Sequence, residues 1–154
     1  ALKGLTVKFW NVYGIEKDME KAHVITDFIR RGFEEGEFEM LTDGTEQRQF
    51  LYAEDCCEAL ETVMNCYSDF KPTDPLHITS FHETSIAEIA SFIQGQFNMI
   101  GRYDVKIKPG LAKDSVQMDK RNEAETYITG WWTPKTGIAD GIAKVFADMK
   151  KDYE

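Results

Sequence analysis

The side chain in this sequence best suited to binding an anion is Arg48. It follows the pair Asp43-Gly44, which is typical of a turn, and precedes the short apolar segment Phe50-Leu-Tyr52. A guanidinium presents a planar fork of N–H donors that matches phosphate oxygens, and a loop between a turn and a strand can direct it into a cleft. Because a single arginine is more often a solvated surface residue, a binding role depends on the elements around it.

The composition bounds the kinds of protein this chain can be. Its 154 residues are 42% hydrophobic, which suits one domain with a real core, and we expect residues 1–154 to form a single lobe. The 27 acidic and 18 basic residues give a net charge of -9, which opposes general binding to nucleic acid or to anionic membranes. An anionic ligand would therefore need a local cluster of Lys and Arg. No apolar run approaches the roughly 20 residues that span a bilayer, so we expect a cytoplasmic protein.

The cysteines and histidines do not suggest a metal site. Cys56 and Cys57 are neighbours on a predicted helix, where their side chains point about 100° apart, and Cys66 lies farther along the same helix. This arrangement favours reduced thiols over a disulfide. The three histidines share no ligand spacing with the cysteines, so we expect no bound metal.

Alternating strand and helix signals predict an α/β fold. A β-branched and aromatic strand over residues 5–10 runs into a loop at Asn11-Val-Tyr-Gly14. The chain begins almost inside this strand, from which we expect an earlier part of the fold to be missing or supplied elsewhere. Apolar residues recur with helical spacing over residues 22–33, and Gly36 suits the position that ends such a helix.

Capping residues mark the starts of further helices. Asp55 with Glu58 predicts one helix start, and Ser85 with Glu88 predicts another. Asp119 is expected to cap a short helix that ends near the glycine of the Gly-Trp-Trp sequence. The remaining predicted elements are strands near residues 38–40, 76–80 and 105–108 and a last helix over residues 138–149.

The order of these motifs resembles one enzyme family. Asn-x-Tyr-Gly follows the first strand, Gly-x-x-x-Arg-x-Phe-x-Tyr-x-x-Asp runs from Gly44 to Asp55, and Pro109-Gly110 precedes a Gly-Trp-x-x-Pro sequence. This series is similar to the extended short-chain dehydrogenase/reductases that act on nucleotide sugars, the NAD-dependent epimerase/dehydratase family. The similarity covers nearly the whole chain but only the C-terminal half of such an enzyme. It implies the C-terminal substrate-binding lobe of an extended Rossmann-type fold, lacking the N-terminal dinucleotide-binding portion.

The resemblance implies roles in substrate binding for residues along the chain. Asn11 matches the family residue that contacts the substrate near its diphosphate, and Arg48 matches the phosphate-binding arginine. Lys108 stands where many members carry a second phosphate-binding arginine, and Lys113 is the alternative if the loop is shifted. A lysine binds phosphate as a point charge without the bidentate fork.

Two subgroups of the family share further local sequence with this chain. Ala22-His-Val-Ile25 resembles the ADP-heptose 6-epimerases, and Phe38-Glu-Met40 resembles the GDP-mannose 3,5-epimerases. Phe38 and Met40 lie on the strand that in members of the family borders the nucleotide base. In both subgroups a lysine after Asn-x-Tyr-Gly acts as an acid/base near the sugar, which makes Lys17 or Lys21 the catalytic candidate here. We interpret His23 as a structural histidine.

Two motifs of the family are missing from the sequence. There is no Gly-x-x-Gly-x-x-Gly after a strand and no catalytic Tyr-x-x-x-Lys helix. Tyr13 and Lys17 have the second spacing, but Tyr13 belongs to Asn-x-Tyr-Gly and Gly14 follows it, so we assign Tyr13 a structural role. In the complete enzyme NAD or NADP would remove and return a hydride; this chain alone is not expected to bind it tightly or to turn over substrate.

The sequence thus predicts the nucleotide-sugar-binding portion of an NAD(P)-dependent nucleotide-sugar epimerase. One alternative is a dehydratase or decarboxylase of the same family, and another is a non-catalytic nucleotide-binding module. The expected partners are a nucleotide diphosphate sugar and either a second copy of the chain or a complementing N-terminal lobe, with no nucleic acid and no membrane.

Overall fold

A computed structural model describes residues 4–114 and 123–154 of the chain. Strands and helices alternate along it, as the sequence predicts. Their order is β1 Val7–Phe9, β2 Asn11–Tyr13, α1 Val24–Glu34, β3 Glu37–Glu39, β4 Gln47–Tyr52, α2 Ala53–Asn65, β5 Leu76–Ile78, β6 Glu83–Ser85, α3 Ile86–Met99, β7 Lys106–Lys108 and α4 Ile138–Lys150.

The strands of the described residues pair in three small sheets, in which parallel pairing dominates. β1 pairs with β5, and β3 pairs with β7, both in parallel. In the third sheet β4 lies between β2, which is parallel to it, and β6, which is antiparallel. The fold class predicted from the sequence, α/β with parallel strands, is therefore confirmed.

The loop predicted at Asn11-Val-Tyr-Gly14 is wrong for its first three residues, which form β2. The N–H of Trp10 still donates to Ile78 O at 3.3 Å, on the neighbour of β1. Asn11 then lies opposite Phe50 of β4. The chain changes sheets at this point, and that change depends on strands far away in sequence.

Two apolar clusters hold the elements together. The larger one joins α1, α3 and α4 to β2, β3 and β4, and its fully buried members include Ile29, Phe97 and Ile142. The smaller one lies between α2, β5 and the Ile128 region, where Trp132 packs. Trp132 is only 6% exposed there and contributes to the core.

The helix ends show which capping predictions were sound. Ser85 Oγ accepts a hydrogen bond from Glu88 N at 3.2 Å, and Glu88 Oε2 accepts one from Ser85 N at 2.8 Å, so this capping box is confirmed. Gly36 has φ +70° just after α1, as expected of a residue that ends a helix. Asp119 lies outside the described residues, and the short element before the tryptophans is a 3-10 helix, Tyr127–Gly130.

The predicted cap at Asp55 is wrong. Tyr52 is the N-cap of α2, and Asp55 is 3% exposed and turned toward the chain segment before α4. Its Oδ2 accepts hydrogen bonds from the backbone N–H groups of Lys135 at 3.0 Å and Thr136 at 2.8 Å. The carboxylate therefore fixes the approach to α4 instead of the start of its own helix.

No helix within the described ranges has the length and apolar character that crossing a bilayer requires.

Candidate functional site

A cavity of about 380 Å³ lies between helix α1 and the paired strands β2 and β4. Its wall combines cations, carboxylates and apolar groups. The polar lining residues are Asn11, His23, Asp27, Arg31, Glu39, Thr42, Glu46 and Arg48. The apolar ones include Val12, Phe28, Leu41, Phe50 and Ile86. A lining of this mixture suits a ligand that has both charged and apolar parts.

Strand β4 directs Arg48 into the cavity. The loop predicted for Arg48 is wrong, because the residue lies within β4 and pairs with Thr84 of β6. Side chains two apart on a strand share a face, and Glu46, Arg48 and Phe50 all line the cavity. β4 reaches back to Arg48 because β6 pairs with it there. β6 has only three residues and no clear strand pattern in the sequence.

Asn11 reaches the same cavity from the neighbouring strand. The β2–β4 register sets Asn11 opposite Phe50, which lies two residues after Arg48 on β4. Its Nδ2 donates a hydrogen bond to Gln49 O at 3.3 Å. The structure thus brings together Asn11 and Arg48, which the resemblance connected only through their motifs.

The Arg48 guanidinium has a carboxylate partner. Its Nη2 donates to Asp114 Oδ2 at 2.7 Å, with 27% of the arginine side chain and 16% of the aspartate side chain exposed. Arg48 is a cavity-lining residue, while Asp114 is not part of the lining that the described residues form. The ion pair therefore holds Arg48 at the cavity wall.

Arg31 is a second cation in the cavity wall, and the sequence interpretation missed it. Its Nε lies 3.5 Å from Glu35 Oε1 and its Nη1 lies 4.0 Å from Asp27 Oδ2. His23, Asp27 and Arg31 are four residues apart, a spacing that places side chains on one face of a helix. This polar stripe could have indicated Arg31 from the sequence, whereas the apolar stripe of α1 indicated only the helix.

His23 also lines the cavity, and Glu16 holds it in place. The Glu16 carboxylate bonds to Nδ1 of the imidazole and to Thr26 Oγ1, and it accepts a hydrogen bond from His23 N at 2.8 Å. Burial by itself raises the pKa of Glu16, but these hydrogen bonds outweigh it and lower that pKa below its usual value. The result is an ionised carboxylate that orients an imidazole at the cavity.

The two lysines proposed as acid/base groups lie outside this lining. Lys17 and Lys21 are exposed on the segment between β2 and α1, and Lys21 Nζ is 3.4 Å from Asp18 Oδ2. Neither residue belongs to the described cavity wall. A catalytic role for either lysine stays a prediction.

Lys108 and Lys113 lie on the segment that follows β7. Lys108 Nζ is paired with the Glu37 carboxylate on the surface of the β3–β7 sheet, with about half of its side chain exposed. Lys113 is exposed next to Asp114. The pairing of Thr42 with Ala112 sets this segment beside the cavity wall, but neither lysine lines the cavity among the described residues. Their phosphate-binding roles stay predictions.

Phe38 and Met40 support the cavity from behind. Phe38 has 0% and Met40 5% exposure, and the Phe38 ring stacks on Phe28 at 4.8 Å between centroids. Phe28 is part of the cavity wall. Since side chains alternate along a strand, Glu39 and Leu41 are the neighbours that reach the cavity. Contact of Phe38 or Met40 with a nucleotide base stays a prediction.

The helix N-termini of the described residues do not suit the pyrophosphate of a dinucleotide cofactor. A pyrophosphate commonly binds at a helix N-terminus that offers unshielded N–H groups. Each α-helix of the described part of the chain instead has a carboxylate in its first turn: Asp27, Glu54, Glu88 and Asp140. These charges oppose a phosphate group. Over the same residues no cluster of His, Cys, Asp and Glu is placed to hold a metal ion.

Comparison with known proteins matches residues 1–78 to the NAD dependent epimerase/dehydratase family. A GDP-L-fucose synthase from Sinorhizobium fredii is 30% identical over 147 residues, an alignment that covers 88% of this chain and 43% of the synthase. The chain therefore spans less than half the length of this curated relative.

Many solved structures share the fold, and two of them are named as epimerases of nucleotide-linked sugars. A UDP-glucose 4-epimerase from Thermotoga maritima, solved with UDP-glucose, has a TM-score of 0.77 and 19% identity, over 99% of this chain and 48% of the epimerase. An ADP-L-glycero-D-manno-heptose-6-epimerase from Helicobacter pylori has a TM-score of 0.73 and 19% identity, over 94% of this chain and 43% of that one.

Proposed function

This chain belongs to the NAD dependent epimerase/dehydratase family, and on that premise we propose that it is the nucleotide-sugar-binding portion of an NAD(P)-dependent nucleotide-sugar epimerase. The observation that carries the proposal is the meeting of Asn11 and Arg48 in one cavity of about 380 Å³. The family motifs that hold these two residues lie far apart in the sequence.

Arg48 would bind the diphosphate together with Arg31 from the opposite wall. The chain has a net charge of -9, so an anionic group needs a local concentration of positive charge to overcome the general repulsion. Two guanidiniums on facing elements would supply it, and each can bind a phosphate through two parallel N–H donors. They would have to outweigh three carboxylates of the same lining, those of Asp27, Glu39 and Glu46. Asn11 would add an amide donor and fix the orientation of the diphosphate.

Lys108 and Lys113 remain proposed contributors from the segment after β7. Gly110 N donates to Thr42 O at 3.0 Å, which keeps this segment beside a residue of the cavity wall. A lysine side chain has enough length and rotatable bonds to reach a nearby phosphate. Lys108 would have to leave Glu37 to do so.

His23, which the sequence suggested was a structural histidine, lines the cavity and is the proton-transfer group that the cavity itself offers. An imidazole oriented by a carboxylate can accept or donate a proton at the sugar, and His23 and Glu16 have this arrangement. Lys17 and Lys21 remain the candidates implied by the family resemblance. The hydride chemistry of the family needs NAD(P), which we expect a dinucleotide-binding portion outside this chain to hold.

Calorimetric titration tests the binding proposal directly. GDP, UDP and their sugars are titrated into the wild type, Arg48→Ala and the control Arg102→Ala, whose side chain pairs with Asp104 away from the cavity. Loss of a charge-assisted contact of about 1.5–3 kcal/mol should weaken binding of the best ligand by about 10-fold to 100-fold in Arg48→Ala. Equal heats in Arg48→Ala and the wild type would remove Arg48 from the site.

A second measurement concerns catalysis by the chain as given. We expect no turnover of a nucleotide sugar with added NAD or NADP, because the dinucleotide has no suitable helix N-terminus in the described residues. A sustained rate on the purified polypeptide that vanishes in Arg48→Ala would refute the statement that a dinucleotide-binding portion is needed.

A further inference from the structure

We propose that Asp114 is a positioning residue that holds the Arg48 guanidinium in its phosphate-binding orientation; this inference rests on the proposed function of Arg48. No family motif used above includes Asp114. Its carboxylate is 2.7 Å from Arg48 Nη2, although the two residues lie far apart in sequence.

The position of Asp114 relative to the cavity shows that its carboxylate can hold Arg48 without filling the ligand site. Arg48 lines the cavity, whereas Asp114 does not belong to the cavity lining among the described residues. The carboxylate therefore meets the guanidinium from outside the cavity. A guanidinium has five N–H donors, so the bond to Asp114 leaves other donors for a ligand in the cavity.

Backbone hydrogen bonds fix the place from which Asp114 acts. The β3–β7 pairing continues beyond both strands: Gly110 N donates to Thr42 O at 3.0 Å, and Asp43 N donates to Ala112 O at 2.8 Å. Asp114 follows two residues later. Its side chain is 16% exposed, so it is anchored next to the wall that Thr42 helps to form.

The cavity explains why Arg48 needs such a partner. Glu46 lies just before β4 and two residues before Arg48, and both it and Asp27 of α1 line the cavity. An arginine side chain has several rotatable bonds and would otherwise be drawn toward these carboxylates. Asp114 offers a competing contact at the wall and keeps the guanidinium clear of them.

Two effects of removing Asp114 oppose each other, and substitutions separate them. Loss of orientation weakens phosphate binding, while loss of a negative charge strengthens it. Asp114→Asn keeps an oxygen that can accept from Nη2 but removes the charge, so a positioning role predicts that affinity is retained or improved. Asp114→Ala removes the acceptor as well, and we expect a loss of about threefold to tenfold.

The test is a double-mutant cycle with calorimetric titration of GDP and UDP, each compared with its nucleoside. We expect Asp114→Ala to weaken binding of the better diphosphate, Asp114→Asn to restore it, and neither change to affect the nucleoside. In the Arg48→Ala background Asp114→Ala should have no further effect. Asp114→Ser, which is too short to reach the guanidinium, replaces Asp114→Ala if that variant does not fold.

Each other outcome overturns the inference in a distinguishable way. Unchanged or tighter diphosphate binding by Asp114→Ala, with Arg48→Ala still defective, makes Asp114 a bystander or a competitor and leaves the proposed function intact. Equal losses for diphosphate and nucleoside, or no rescue by Asp114→Asn, indicate a structural role only. Wild-type binding by Arg48→Ala removes the phosphate site and this inference together.

Discussion

Removal of the Asp55 carboxylate should destabilise the whole fold. Asp55 is 3% exposed, and its Oδ2 accepts from two backbone N–H groups, those of Lys135 and Thr136. Its Oδ1 accepts from Thr136 Oγ1 at 3.2 Å. Asp55→Ala would leave these donors without their acceptor in a buried place and would detach the segment that leads into α4.

The size of the effect follows from these contacts. A hydrogen bond to a charged group contributes about 1.5–3 kcal/mol, so two backbone bonds give a loss of about 4 kcal/mol in the free energy of unfolding. For a chain of this size each kcal/mol lowers Tm by about 2–4 °C, which gives about 8–16 °C. A helix cap would account for only about 1 kcal/mol. Asp55→Asn, which keeps an acceptor oxygen, should lose about half as much.

Urea unfolding followed by tryptophan fluorescence measures the difference in free energy. Glu54→Ala is the matched control, because Glu54 is an exposed carboxylate in the same first turn of α2 and has the same effect on the helix dipole. We expect the control to change stability by no more than about 0.5 kcal/mol. If Asp55→Ala costs no more than a lost cap, the carboxylate does not hold the α4 approach and our reasoning is refuted.

Three further predictions concern the cavity and its supports. Tyr13→Phe should raise the free energy of unfolding by about 1 kcal/mol, because the buried Tyr13 hydroxyl has no hydrogen-bond partner among the described residues; a lower Tm would contradict this. Since the folded pKa of Glu16 is lowered, its stabilisation is present above the unfolded value near 4.5 and is lost as pH falls through the folded value. Glu16→Gln should therefore flatten the acid side of the stability–pH curve measured by thermal melting, and an unchanged slope would exclude this contribution. Arg31→Ala should weaken GDP or UDP binding about tenfold and Lys108→Ala by a smaller factor, because Lys108 is paired with Glu37; the reverse order in calorimetry would make Lys108 the second cation.

Local chemistry in the sequence was enough to predict the end of α1 and the start of α3. The capping box of Ser85 and Glu88 formed as predicted, and Gly36 adopts φ +70° after α1. These features depend on residues within one or two turns of each other, so neighbouring side chains determine them. Asp55 had the same local signal as Ser85, with a glutamate three residues later. The backbone of Lys135 and Thr136 offered its carboxylate a better partner than its own helix did.

The sequence by itself predicted Arg48 as a guanidinium for an anion, and the family motifs added Asn11 to the prediction. Only the tertiary structure set them in one cavity, because the β2–β4 register joins strands that no local pattern connects. Tertiary packing also brought His23 and Arg31 to the cavity and Asp114 to Arg48. The type and spacing of side chains within one element can be read along the chain. Contacts between elements depend on packing and charge, which choose among many residues that look equivalent in the local sequence.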